Sequence, residues 1–315
     1  MRLLTHFGAR GAEELVEAVP GVDVVVVAPD GPVPADLPDD LTGDGLITLG
    51  VETETLGELV ARGVSWVHTI GTGLDRFPLD RLPADVTLTC SRGASAVPIS
   101  EWVLAAMLAH EKQFPESWIS EPLPSWDGRP ARLGTLAGGV LGLVGFGTIA
   151  RATAERALAF DMDVRAVRRS STPLDLDGVQ AVASLAELAA VSDHLVVAAP
   201  ATPATQHLID TEVLAAAKPG LHLVNIARGT LVDQDALRVA LDDGRVARAT
   251  LDTVDPEPLP EGHWLYSHPR VRLSPHISWS GPQSISALFA LALDNARRWA
   301  AGAPLLAVVD REAGY

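Results

Sequence analysis

The chain has 315 residues, 47% of them hydrophobic and 20% charged, and carries a net charge of −16. That balance, with no long basic cluster, argues against nucleic acid and against an anionic membrane surface as partners. A single cysteine, Cys90, excludes an intrachain disulfide and a cysteine-based zinc site, and it reads as a buried strand residue.

The length exceeds what one hydrophobic core usually serves, so two domains are expected. From the N-terminus the chain offers "RLLTHFG", a helix around "AEELVEAV", then "VDVVVVAP", "GLITLG", a helix in "ETLGELVARG", "VSWVHTIGTG" and "VTLTCS". Short β-branched runs alternating with helices predict a parallel sheet covered on both faces. The first ten residues lack a secretory pattern, and "VDVVVVAP" is too short to span a bilayer, so a cytoplasmic location without membrane contact is expected.

A largely apolar helix, "PISEWVLAAMLAHEKQ", follows. The segment "FPESWISEPLPSWDGRPARLGTLAGG" is too apolar for a free linker and reads as an arm packed on another surface. A twofold copy of the chain is the commonest cover for such an arm, which predicts a homodimer. A second alternating series runs through "VLGLVGFG", "VRAVRR", "HLVVAAP", "LHLVNIA", "RATLDTV" and "VRLSPH", then a long helix "PQSISALFALALDNARRWAAG" and a closing "LLAVVD".

"LGLVGFGTIAR" places Gly145, Gly147 and Ala150 between an apolar strand and a helix. The first glycine permits the tight turn, the second lets backbone approach a pyrophosphate, and alanine is a permitted third member. Phosphates would sit on the free N–H groups at Thr148 and Ile149. This predicts a dinucleotide-binding domain.

Three later strands each end on a polar residue: Arg228 in "VNIARGT", Asp252 in "LDTVDPEP" and His276 in "LSPHIS". In parallel sheets the carboxyl edge is where ligands bind. Arg228 could grip a carboxylate with parallel N–H bonds, His276 could move a proton, and Glu257 could fix its tautomer. Singly, each also reads as a surface ion pair or a structural residue. The other histidines read as core or solvent residues, and no ligand spacing suits a metal.

Taken together, "GLVGFGTIA", "VNIARGTLVD", "LDTVDPEP" and "LSPHIS", with "IGTGLDRFPLDRLP" and "SEWVLAAMLA" before them, resemble the D-isomer-specific 2-hydroxyacid dehydrogenase family. The resemblance covers nearly the whole chain. It implies an α/β protein of two doubly wound parallel-sheet domains, a Rossmann cofactor domain inserted in a flavodoxin-like substrate domain. The implied boundaries are 1–97 for the first part of the substrate domain, 98–279 for the dinucleotide-binding domain and 280–315 for the return. It further implies Arg228, Glu257 and His276 as catalytic residues, with Gly71, Thr72 and Gly73 binding the substrate carboxylate beside Arg228. Asp252 and Ile226 would face the nicotinamide, and Pro200 and Thr205 would line the cofactor. The expected reaction is reversible reduction of a small 2-oxo acid, glyoxylate or hydroxypyruvate among the candidates, to the D-2-hydroxy acid. The same resemblance extends to corepressors, so a nucleotide-sensing interaction protein is the alternative.

Two departures matter. Trp279, three residues past His276, makes the substrate pocket differ from that of many relatives. In "VRAVRRSS" the acid expected at the tip of the second strand is replaced by Arg168, Arg169 and Ser170. An acid there accepts from a free ribose 2′-hydroxyl; arginine instead offers donors to a 2′-phosphate. The sequence therefore predicts NADP(H) as the preferred cofactor with NAD(H) still accepted, the alternative being a solvated basic turn indifferent to the two.

Overall fold

The computed structural model describes residues 1–27, 37–49, 56–121, 133–169 and 173–315. The chain divides into two units, Met1–Ser95 with Gly281–Tyr315, and Ala96–Ser280. The first begins with β1 (Arg2–Thr5), α1 (Ala9–Ala18), β2 (Asp23–Val26), β3 (Gly45–Thr48), α2 (Leu56–Ala61), β4 (Trp66–Thr69) and β5 (Thr87–Cys90). Its sheet is wholly parallel with order β2-β1-β3-β4-β5, the flavodoxin-like arrangement. β3 and β4 are buried along their whole length, as parallel strands sandwiched by helices must be. Cys90 closes β5 with no exposed surface.

The second unit opens with α3 (Ala96–Glu111), two residues earlier than the sequence helix. It continues through β6 (Val140–Val144), α4 (Thr148–Leu158), β7 (Asp163–Val167), β8 (Val179–Ala181), α5 (Leu185–Val191) and β9 (His194–Val197). Then come α6 (Thr211–Ala216), β10 (Leu221–Asn225), α7 (Gln234–Asp242), β11 (Val246–Leu251), α8 (Trp264–Ser267) and β12 (Val271–Leu273). The order β12-β11-β10-β9-β6-β7-β8 reverses at β6, giving the Rossmann switch point between β6 and β9. Finally α9 (Ser284–Ala300) returns to the first unit, where Ala292 and Ala296 pack with Leu3, Ile47 and Trp66.

The sequence reading does not single out α5, α6 or α7, yet each has a legible start. Ser184 Oγ accepts from the Glu187 N–H at 3.1 Å, Asp210 Oδ1 from Val213 at 2.9 Å, and Asp233 Oδ1 from Asp235 and Ala236 at 3.0 Å. Such caps satisfy donors that have no partner inside the helix. The closing "LLAVVD" forms no strand; Val308 makes one isolated antiparallel bridge to Thr89.

Strand register sets the working edge. Leu273, Leu251, Asn225, Val197, Val144 and Val167 are neighbours across six strands. Residues just beyond them share one carboxyl edge, spread over roughly 24 Å at the usual strand spacing. Near the opposite edge lie three histidines. His194 Nε2 is 3.2 Å from Glu111 Oε1, His194 Nδ1 is 3.0 Å from His222 Nδ1, and His222 Nε2 is 2.8 Å from Thr250 Oγ1. The His110 ring stacks on His222 with centroids 4.4 Å apart.

Candidate active site at the carboxyl edge of the seven-stranded sheet

Arg228 follows β10 in extended conformation, at the start of a single 3-10 turn over Gly229–Leu231. Buried Asn225 shapes this turn: its Oδ1 accepts from the Ala227 N–H at 3.1 Å and its Nδ2 donates to the Arg228 carbonyl at 2.8 Å. Gly229 is required by contact, since a Cβ there would stand 1.9 Å from the Val254 carbonyl carbon. The arginine turn is thus pressed against the loop that carries Glu257. Sequence reasoning passed over Asn225, although a polar residue closing an apolar strand was a usable signal.

Glu257 reaches His276 from the loop after β11. Its Oε1 accepts from the Val254 N–H at 3.1 Å, and its Oε2 is 2.9 Å from His276 Nδ1. With Nδ1 committed to the carboxylate, Nε2 is the ring nitrogen left to act outward, and the side chain is 37% exposed. His276 has φ +54°, a left-handed conformation that costs a non-glycine residue energy unless its surroundings enforce it. They do. The His276 N–H donates to the Asp252 and Ser274 carbonyls at 2.9 and 3.0 Å, and the Trp279 indole N–H donates to the His276 carbonyl at 2.9 Å.

Asp252 is 1% exposed. Its Oδ1 accepts from Ser274 Oγ at 2.6 Å and from the Ile277 N–H at 2.9 Å, and its Oδ2 accepts from the Ser278 N–H at 2.9 Å. Both oxygens thus bind the loop on which His276 stands, so the carboxylate positions that loop. Ser274 and Ser278 belong to the same clasp, and the sequence reading missed them. Trp279 spends its indole N–H on His276 and packs against the core cluster that includes Ile99, Val103 and Ile226.

At the other end of the edge, Gly145 has φ +88°, and a Cβ there would lie 2.9 Å from the Ala199 Cα. Nothing lies within 4 Å of a Cβ placed on Gly147, which opens α4 without any side-chain cap. The first N–H groups of α4, at Thr148 and Ile149, therefore face an open cradle, and these residues fit a dinucleotide pyrophosphate. A cavity of about 350 Å³ adjoins it, lined by Gly147, Thr148, Arg151, Arg168 and Asp175 among others. The Arg168 guanidinium makes no hydrogen bond or ion pair with the described residues. Arg169 is exposed, and Ser170 lies outside the described residues.

Thr205 Oγ1 donates to the Pro200 carbonyl at 2.8 Å and accepts from the Thr202 N–H at 2.8 Å, so its hydroxyl holds the turn after β9. Ile226 is 5% exposed within the core, which leaves its backbone as the part available to a ligand. Gly71, Thr72 and Gly73 follow β4 in the first unit, Thr72 and Gly73 exposed. Thr69 Oγ1 supports this loop's base by donating to the Leu49 carbonyl at 3.1 Å. Among the described residues, no group of three or more His, Cys, Asp or Glu is arranged to hold a metal ion, and no helix is long and apolar enough to cross a membrane.

A Rossmann sheet with an open phosphate turn on the same edge as an imidazole–carboxylate pair is the architecture of a dinucleotide-binding domain. The sequence narrows this: residues 104–278 match the family model described as D-isomer specific 2-hydroxyacid dehydrogenase, NAD binding domain. The chain belongs to that family. It is 33% identical over 222 residues to glyoxylate/hydroxypyruvate reductase A of Serratia proteamaculans, covering 67% of this chain and 70% of the relative. It is 34% identical over 273 residues to (S)-sulfolactate dehydrogenase of Chromohalobacter salexigens, covering 82% and 85%. Among solved structures, a D-isomer specific 2-hydroxyacid dehydrogenase of Xanthobacter autotrophicus in complex with NADPH and MES superposes with a TM-score of 0.78 at 30% identity, covering 99% of each chain.

Proposed function

We propose that the protein reduces a small 2-oxo acid to the D-2-hydroxy acid with NADPH, and that His276 is the proton donor. The observation that carries this reading is the His276–Glu257 pair, 2.9 Å apart, on the same edge as Arg228 and the phosphate turn. The nicotinamide, when bound, supplies the hydride that reaches the carbonyl carbon. Arg228 grips the substrate carboxylate with its planar fork. Protonated His276 donates from Nε2 to the carbonyl oxygen as negative charge develops there. Glu257, on Nδ1, orients the ring and fixes the neutral tautomer after transfer. Asp252 and Trp279 hold the ring's backbone in place. In the oxidative direction the same nitrogen accepts the hydroxyl proton.

Arg168 supports the choice of cofactor. Its donors, unspent among the described residues, line the cavity beside the phosphate cradle, and a relative of the same fold was solved with NADPH. A charge-assisted bond is worth about 1.5–3 kcal/mol before screening, so NADPH should exceed NADH by roughly 10- to 100-fold in kcat/KM after discount for exposure. A reductase screen of about a dozen 2-oxo acids with both reduced cofactors tests the proposal. Turnover of none of them with either cofactor would overturn it, and equal use of the two cofactors would remove the NADPH assignment. Arg168→Asp should weaken NADPH use and spare NADH use.

Two further parts of the reading are a cytoplasmic enzyme and a homodimer. Trp118, Ile119 and Leu133, at 67%, 48% and 46% exposure, support a covering copy, because exposed apolar surface is a liability on a monomer; residues 122–132 of the arm lie outside the described residues. Sedimentation at micromolar concentration reads the state directly, and a monomer would contradict it.

A further inference from the structure

The cavity beside Arg168 contains a second cation and an acid of its own. Arg151, on the first turn of α4, sends Nη1 to Asp175 Oδ2 at 2.5 Å and to the Asp175 carbonyl at 3.0 Å, and Nε to Glu155 Oε1 at 3.2 Å. Both Arg151 and Asp175 line the cavity with Arg168, and their side chains are 39% and 74% exposed. The acid missing from the tip of β7 is thus present on the next loop, in the same cavity.

Resting on the reading that this cavity takes the adenosine ribose, we infer that Arg151 and Asp175 are opposed determinants of cofactor choice. Arg151 attracts a 2′-phosphate and Asp175 resists it. A free ribose leaves the pair intact and finds an acceptor in the Asp175 carboxylate. A 2′-phosphate brings about −1.5 to −2 charges, as phosphate monoesters do near neutrality, into a cavity where Asp175 already occupies Nη1. Arg151 must then turn part of its fork from the carboxylate to the phosphate, and the carboxylate repels the newcomer throughout. Since both groups are solvent-exposed, each effect is that of a surface ion pair, two- to fivefold in affinity at about 0.4–1 kcal/mol. The preference set by Arg168 is therefore graded by a neighbour that pulls toward the unphosphorylated cofactor.

Calorimetric titration of the ligand-free protein with adenosine 2′,5′-bisphosphate and with adenosine 5′-monophosphate tests this without turnover, because the two probes differ only in the 2′-phosphate. Asp175→Asn should raise the affinity ratio of bisphosphate to monophosphate by about two- to fivefold, and Arg151→Gln should lower it by a similar factor. Arg168→Ala should lower it further. Wild-type protein that binds both probes equally would defeat the underlying cofactor reading, and this inference with it. Wild-type discrimination that Arg168→Ala abolishes, while Asp175→Asn and Arg151→Gln leave it unchanged, would overturn the inference alone. A lower ratio in Asp175→Asn would also overturn it, since Asp175 would then be positioning Arg151 for the phosphate. Thermal melts of each variant establish that these exposed substitutions leave the fold intact.

Discussion

The seven-stranded sheet carries a histidine–carboxylate pair near each of its two edges, and the contrast separates chemistry from structure. At the carboxyl edge His276 meets Glu257 at 2.9 Å, with 37% and 25% of the side chains exposed. Near the amino edge His194 meets Glu111 at 3.2 Å, with 2% and 17% exposed. The difference lies in the other ring nitrogen. His194 uses both nitrogens internally, and His222 passes the chain on to Thr250. Hydrogen bonding from His194 is the main reason the Glu111 carboxyl sits below its usual range. His276 uses one nitrogen internally and leaves the other to a ligand, on a backbone that its neighbours lock. The same two residue types therefore form a packing element in one place and a candidate acid/base in the other.

The contrast can be broken most forcefully at His276. His276→Ala should lower kcat for 2-oxo acid reduction by about 10²–10⁴, the range of general acid catalysis, while cofactor affinity stays nearly constant. A variant retaining more than a third of wild-type kcat, with chemistry rate-limiting, would move the proton donor elsewhere. Next in size, Arg228→Ala should cost roughly 10²–10³ in kcat/KM, as loss of one strong transition-state contact does. Arg228→Lys should recover only part, because a point charge lacks the fork. Full recovery would show that charge alone suffices.

At the buried pair the expected effects fall on stability. His194→Ala takes the His194 partner from the Glu111 carboxylate and from His222 Nδ1, which costs about 2 kcal/mol and lowers Tm by roughly 4–8 °C, with kcat within twofold of wild type. Calorimetric melting and steady-state rates check both halves. The buried histidines also sharpen the acid response. Burial lowers His68 and His110 from 6.5 to about 4 and holds His222 well below its usual value. Each is neutral in the fold and gains a proton on unfolding, so its stabilisation is whole above about pH 6.5 and is lost as pH falls toward 4. Tm should therefore drop across that interval, and a flat profile would contradict the assignment.

Much of this was readable in the chain because it rests on local chemistry. Gly145, Gly147 and Ala150 announce a phosphate turn, and the alternation of β-branched runs with helices announces two parallel sheets. Both follow from period and steric need at single positions. The Asp252 clasp was not readable, because its partners Ser274, Ile277 and Ser278 come from the next strand's loop and meet it only through tertiary register. Gly229 was hidden for the same reason: it is demanded by Val254, 25 residues away in the chain. The cap residues Ser184, Asp210 and Asp233 were readable and were passed over in favour of the apolar pattern. The histidine chain near the amino edge was the least legible, since His194 and His222 each sit inside apolar strands and gain meaning only from adjacent registers.

The most direct test makes one substitution at both pairs. Replacing Glu257 or Glu111 by glutamine removes a charge and keeps the size, so the two variants differ only in where the charge was lost. Loss of a charge-assisted hydrogen bond is worth about 1.5–3 kcal/mol, or tenfold and upward. Glu257→Gln should lower kcat by at least about tenfold and leave Tm within about 2 °C, whereas Glu111→Gln should lower Tm and leave kcat within twofold. Unchanged kcat in Glu257→Gln, or an equal loss of kcat in both variants, would contradict the assignment of His276 and Glu257 as the acid/base pair.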